Sequence, residues 1–279
     1  MTARIEAALE RHLAGRDRPA RLGEALRHAV FGGGSRVRPA LVLGVAHACG
    51  DDRPIVTDGY AAAVEFLHCA SLVHDDLPAF DDAPLRRGRP SVHAHSGEAL
   101  AILAGDGLIV LAFRALADVA SEAGARLPQL LSLLAESAGS PDGLVAGQAM
   151  ESEARYDLAH YHAAKTGALF RAATAGGAAA SGGDVAFWRE IGVRLGAAYQ
   201  IADDLHDRFG RSGSCGKLTG RDDALGRPNA VDTYGVDGAL RRIKHLIEET
   251  VDVIPAHHSA EPLRSLIHRQ AMRLVPEHL

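Results

Sequence analysis

The chain runs to 279 residues, enough for one large domain or two small ones with a substantial core. Hydrophobic residues make up 47%, charged residues 23% and aromatics only 5%, with alanine and leucine dominant, which favours an all-α soluble protein over a β-sandwich. A net charge of -5 excludes the broadly basic face of a nucleic-acid binder, so any anion site must be a local cluster of cationic side chains.

The opening stretch MTARIEAALERHLAGRDRP carries charge every few residues and has no apolar run of signal-peptide type, which predicts a cytoplasmic protein. Apolar residues recur at helical spacing through roughly 4–14, 20–31, 38–49, 57–74, 97–121, 127–137, 142–153, 157–180, 184–207, 236–252 and 260–273, with glycine and proline between them. This pattern predicts a bundle of about ten or more helices in a single domain over 1–279. Ahead of the third segment, GGGSRVRP (32–39) supplies Arg36 and Arg38. The fourth runs through EFLHCASLVH into DDLPAFDD (75–82), where Pro78 disfavours helix at Leu77 and should end it near Asp75–Asp76. LRRGRP (85–90) follows at once with Arg86 and Arg87. The most apolar stretch, ALAILAGDGLIVLAFRALADVA, is interrupted by Asp106 and Arg114, so no membrane span is expected. Near the end of the 184–207 segment stands DDLHD (203–207), and that helix should stop near Gly210. Cys49, Cys69 and Cys215 lack CxxC spacing and suggest neither a disulfide framework nor a zinc site. His47, His74, His93 and His95 show no metal-ligand pattern.

Two acidic clusters near helix C-termini pose an electrostatic problem, because the macrodipole there is already negative and each further carboxylate costs about a few tenths of a kcal/mol or more. Asp203 and Asp207 stand at i and i+4, about 5–6 Å apart on one face, a spacing that suits shared metal ligation. Oxygen-only ligands select hard cations, Mg²⁺ before zinc. One such cluster alone reads equally well as a solvated helix end. Two of them, with Arg36, Arg38, Arg86 and Arg87 in the same chain, match the needs of a diphosphate, whose oxygens Mg²⁺ bridges while guanidinium forks take the remainder.

GGGSRVRP (32–39), HCASLVHDDLPAFDDAPLRRGRPSVH (68–93), LAGDGL (103–108), GQAMESE (147–153), KTGALF (165–170), YQIADDLHD (199–207) and GKLTGRD (216–222) follow one another in this order. On these residues the sequence resembles the trans-isoprenyl diphosphate synthases, or polyprenyl synthetases, over nearly its full length, and is similar to bacterial geranylgeranyl diphosphate synthases. The resemblance implies an isoprenoid-synthase bundle around a deep central cavity, normally as a homodimer, with three Mg²⁺ ions between facing acidic motifs. It assigns Asp75, Asp81 and Asp203 to the ions, with Asp76, Asp204 and Asp207 in support. Arg86, Lys165 and Lys217 would hold the allylic diphosphate, and Arg38, His68 and Arg87 the second substrate, isopentenyl diphosphate. Arg221, where the family commonly has lysine, keeps a positive charge. Departure of the allylic diphosphate would leave a carbocation faced by the Lys165 carbonyl, Thr166 and Gln200, which the isopentenyl double bond then attacks.

Product length follows from one helical turn. Ser71 and Ala70 lie four and five residues before Asp75, where a growing tail would descend. Within the resemblance, small residues there and the six-residue spacing from Asp75 to Asp81 imply a C20 product, geranylgeranyl diphosphate, for carotenoid or other C20-derived lipids, with Phe66 or Leu67 as floor. A farnesyl or longer-chain synthase is the enzymatic alternative. Family members usually carry lysine where this chain has Ser35. Either Arg36 or another base substitutes, or isopentenyl diphosphate binds less tightly, or the chain is a weakly active or non-catalytic subunit of another synthase. Glu151 and Glu153 read equally as a solvated face or as support for the site and receive no role.

Overall fold

A computed structural model describes residues 1–14, 19–209 and 230–274. Its elements are α1 Thr2–Leu13, α2 Ala20–Val30, α3 Val37–Ala48, α4 Pro54–Asp75, α5 Val92–Ser96, α6 Glu98–Ala117, α7 Ala120–Ala123 and α8 Leu127–Ala138. They continue with α9 Leu144–Met150, α10 Leu158–His162, a π-helical turn Ala163–Gly167, α11 Ala168–Ser181, α12 Val185–Phe209, α13 Ala230–Val253 and α14 Glu261–Leu274. The expected all-α isoprenoid-synthase bundle is found, and the only strands among the described residues are the two-residue pair β1 Leu85–Arg86 and β2 Arg89–Pro90, antiparallel to each other.

The helices are stacked around α4 and α11. α4 begins with Pro54 in its first turn, where a missing N–H costs nothing, and then runs almost wholly buried from Val56 to Phe66. It packs chiefly on α6, and the close approach depends on Gly105, where a Cβ would lie 2.0 Å from Nε2 of His74. α11 is a run of alanine and glycine (LFRAATAGGAAA) buried along almost its entire length. Its small side chains let α3, α8 and α12 come close on all sides. One continuous apolar core runs from Ile5 to Ile267 and includes Tyr60, Phe66, Leu108, Leu134, Phe170 and Ile191.

α6 is long and apolar enough to cross a membrane by composition alone. One face, from Ala101 through Leu108 to Leu116, is buried in the core, while Ile102, Leu103 and Val110 are exposed on the other.

Where structure and sequence pattern differ, local geometry explains it. The 157–180 segment is one helical path, but it widens into a π turn at Ala163–Gly167. The 236–252 helix extends back to Ala230 through a kink at Gly235, whose φ of 65° is left-handed. The 142–153 segment gives only α9, since the chain beyond Met150 turns rather than winds. α12 reaches Phe209, the last described residue of that stretch.

Candidate active site

α4 ends where Pro78 requires it to, and the DDLPAFDD loop then folds back on itself. The Asp81 amide donates to the Asp75 carbonyl at 2.9 Å, Asp82 N to Leu77 O at 3.0 Å and Ala83 N to Asp76 O at 3.1 Å. This turn, completed by a left-handed Asp82 with φ 44°, returns the Asp81 backbone to the end of α4 at Asp75 despite their separation in sequence.

In each adjacent aspartate pair the fold consumes the second member. Both oxygens of buried Asp76 accept from Arg86, with Nε–Oδ2 at 2.8 Å and Nη2–Oδ1 at 2.5 Å, which fastens the β1–β2 hairpin to the end of α4. Both oxygens of buried Asp204 are likewise engaged, Oδ1 by Gln200 Nε2 at 2.7 Å and Oδ2 by the Ala230 amide at 2.7 Å, which caps the start of α13. Asp76 and Asp204, expected in support of the ions, are thus each anchored by hydrogen bonds of the fold. Asp203, by contrast, is exposed, and its charge acts on the guanidinium of Arg38.

Arg38 stands between the two acidic helices. Its Nη1 lies 3.4 Å from His68 Nε2 on α4, and its guanidinium covers the ring of Phe170 on α11 at 4.9 Å, which in turn packs on Tyr199 of α12 at 4.4 Å between centroids. Burial lowers the Arg38 pKa, partly offset by Glu65 and Asp203. Arg38 Nε is buried without a hydrogen-bond partner in the structure, an orphan donor of the kind that an anion satisfies. Burial, followed by the fields of Arg38, Arg87, Arg86 and Arg36, holds His68 well below the usual imidazole range, so it is neutral at pH 7 and can accept from Arg38.

Arg36 is different. Its Nε donates to Glu6 at 2.9 Å, Nη1 to Glu65 at 2.7 Å and Nη2 to the Val30 carbonyl at 2.7 Å. Burial would lower its pKa, but the two carboxylates outweigh that and raise it. With every guanidinium nitrogen committed, Arg36 does not replace the lysine missing at Ser35. Arg87 projects from the hairpin with φ 54° and donates to the Gly33 carbonyl. Gly34 beside it has φ +131°, and a Cβ there would lie 2.6 Å from Arg87 Nη1, so the glycine loop is shaped to receive this guanidinium.

The π turn carries Lys165 and Thr166. Lys165 Nζ lies 3.8 Å from Asp75 Oδ1 and bonds Glu151 Oε1, which also accepts from Tyr161 OH at 2.6 Å. Thr166 Oγ1 donates to Gln200 Oε1 at 2.5 Å, so a relay Thr166–Gln200–Asp204 fixes the Gln200 amide between the turn and α12. The sequence alone leaves Glu151 open between surface and site; the signal is its position one turn after Gly147, the glycine that packs on Lys165. Glu153 is exposed.

Ala70 and Phe66 are buried on α4 below Asp75, and half-buried Ser71 donates to the His68 carbonyl at 2.9 Å. Lys217, Arg221 and the side chain of Asp207 lie outside the described residues. Among the described residues no three carboxylate, imidazole or thiol groups already converge at metal-ligating distance. Asp75, Asp81 and Asp203 are all carboxylates, a ligand type that fits a hard divalent cation.

Residues 19–259 match the family described as Polyprenyl synthetase. The chain belongs to the polyprenyl synthetase family. Two bacterial relatives of this synthetase are each described as a geranylgeranyl diphosphate synthase. That of Cereibacter sphaeroides is 49% identical over 276 residues, covering 98% of this chain and 96% of the relative. That of Rhodobacter capsulatus is 46% identical over 275 residues, covering 98% and 95%. A geranyltransferase from Helicobacter pylori, solved in complex with magnesium and isoprenyl diphosphate, superposes with a TM-score of 0.83 at 28% identity over 96% of this chain and 94% of that one.

Proposed function

We propose that this polyprenyl synthetase condenses isopentenyl diphosphate with an allylic diphosphate to give geranylgeranyl diphosphate. The observation that carries this is Arg38: a guanidinium with an unpartnered buried Nε, beside His68 of α4 and within the field of Asp203 on α12. The names of the Cereibacter and Rhodobacter relatives support the C20 product.

Asp75, Asp81 and Asp203 would hold Mg²⁺, which supplies Lewis-acid stabilisation of the departing diphosphate. Lys165 bonds Glu151 and lies 3.8 Å from Asp75, from where it would turn to the allylic diphosphate. Arg38 and neutral His68 offer donors to isopentenyl diphosphate, with Arg87 at the rim. Thr166 donates to Gln200 and thereby fixes the glutamine amide, so a carbonyl lone pair of Gln200 is oriented to face positive charge developing on the allylic carbon. The allylic C–O bond breaks with both electrons leaving on the diphosphate, the isopentenyl double bond forms the new C–C bond, and the proton is lost to the released diphosphate. Phe170 and Tyr199 keep the surroundings of Arg38 apolar.

We further place the protein in the cytoplasm, take 1–279 as one domain, set the number of Mg²⁺ ions at three, and expect a homodimer in which a second copy covers Ile102, Leu103 and Val110. The test of function is incubation of purified protein with MgCl2, isopentenyl diphosphate and each of the C5, C10 and C15 allylic diphosphates. Mass identification of dephosphorylated C20 alcohol is the expected result. Absence of any condensation without an added partner would overturn the reading in favour of a non-catalytic subunit, the alternative that Ser35 motivates.

A further inference from the structure

A π turn inserts one extra residue into a helix, so its carbonyls accept from amides five residues on and the turn is wider than the helix on either side. In this chain Arg171, half-buried on α11, reaches back over Gly167 to the turn: Nη1 donates to the Ala163 carbonyl, the first of the π turn, at 2.7 Å. The same guanidinium extends Nη2 to the Asp142 carbonyl at 2.8 Å, in the connection from α8 to α9. The side chain of Asp142 meets His160 Nε2 on α10 at 2.9 Å, a second tie between the same two segments.

The connection held in this way leads directly into α9. Gly147 of that helix lies against the backbone of Lys165, where a Cβ would approach Lys165 N to 2.6 Å, and the next turn delivers Glu151 to Lys165 Nζ. A closed ring results: Arg171 to the α8–α9 connection, α9 to Lys165, Lys165 through the π turn back to Arg171. Its two-pronged grip suits arginine, since lysine has a single nitrogen that cannot reach both carbonyls at fixed angles.

We propose that Arg171 is a positioning residue for the reaction: by clamping the Ala163 and Asp142 carbonyls it holds the π turn and α9 in the register that places Lys165 on Glu151 and Thr166 on Gln200. This deepens the function proposed above and rests on it for its kinetic consequence, though not for its structural one.

The experiment compares wild type with R171A, R171K and R189A. Arg189 is the control, because it lies close to Arg171 but, among the described residues, bonds Glu136 alone, at 3.1 Å. Amide hydrogen exchange is read across the chain, together with steady-state kinetics for each substrate. For R171A the expected result is exchange faster by about tenfold or more, confined to residues 144–151 and 158–167, with protection of α4 and α6 unchanged. Turnover should fall by about tenfold or more at saturating substrate, with the isopentenyl diphosphate KM within about twofold of wild type. R171K should recover part of the protection and part of the turnover, and R189A should match wild type in both. Unchanged local exchange in R171A, exchange raised throughout the chain, or full rescue by R171K would overturn the proposal. If wild type condenses nothing, the functional reading fails, while the exchange data still decide whether Arg171 holds the turn.

Discussion

Replacing Glu151 by Gln tests how the free site stores its charge. Lys165 Nζ bonds Glu151 and also stands 3.8 Å from Asp75, and the Lys165 and Glu151 side chains are only 22% and 11% exposed. At that separation, with an effective dielectric near 20, a full charge pair is worth about 4 kcal/mol gross. A charge-assisted hydrogen bond between half-buried groups nets about 2 kcal/mol once desolvation is counted. Glutamine keeps the shape and removes the charge, so Lys165 should shift towards Asp75 and compete with the cation for it. The expected outcome is an apparent Mg²⁺ requirement raised by about thirtyfold, the equivalent of 2 kcal/mol, with turnover at saturating MgCl2 within about threefold of wild type. Initial rates across a MgCl2 series measure both quantities, and Glu151→Asp should fall between the two. A Mg²⁺ dependence identical to wild type would refute the claim that Glu151 draws Lys165 away from Asp75.

Three further outcomes follow from the same geometry. Arg36→Met should lower the unfolding free energy by about 3–5 kcal/mol, because it strands buried Glu65, while Arg38→Met should leave Tm nearly unchanged and raise the KM for isopentenyl diphosphate; thermal melts and kinetics on the two variants distinguish the roles. Burial depresses the His162 pKa to about 4 and pushes that of His68 well below its usual value. A base held neutral in this way contributes stability that is complete above the unfolded pKa near 6.5 and lost as pH falls below it, by up to about 1.4 kcal/mol per pH unit for each histidine. Chemical denaturation from pH 7 to pH 4 should show that slope, and His162→Gln should reduce it. Ala70→Tyr should shorten the dominant product from C20 to C15 in product chromatography; an unchanged product would remove Ala70 from the wall that limits the prenyl tail.

Helices were legible in the sequence because long apolar periodicity and Pro78 act locally. The end of α4 at Asp75 follows from a single proline. Less legible were features decided by distant partners. Nothing in DDLPAFDD or DDLHD separates the first aspartate of each pair from the second. That distinction comes from Arg86 and from the Ala230 amide, which only the fold brings to Asp76 and Asp204. Arg36 looked like a phosphate ligand from its motif, yet the burial of Glu65 on the facing helix demands a cation and Arg36 supplies it. Glu151 and Arg171 stay hidden for the complementary reason, since both reach partners within a π turn that leaves no trace in apolar spacing.

The central claim is that the two acidic motifs tolerate each other because a magnesium-bound diphosphate joins them. Calorimetric titration of inorganic diphosphate into the protein tests it most directly. The account predicts binding that requires MgCl2 and is lost in both Asp75→Asn and Asp203→Asn. Diphosphate binding that is equally tight in EDTA, or that survives in either variant, would contradict it.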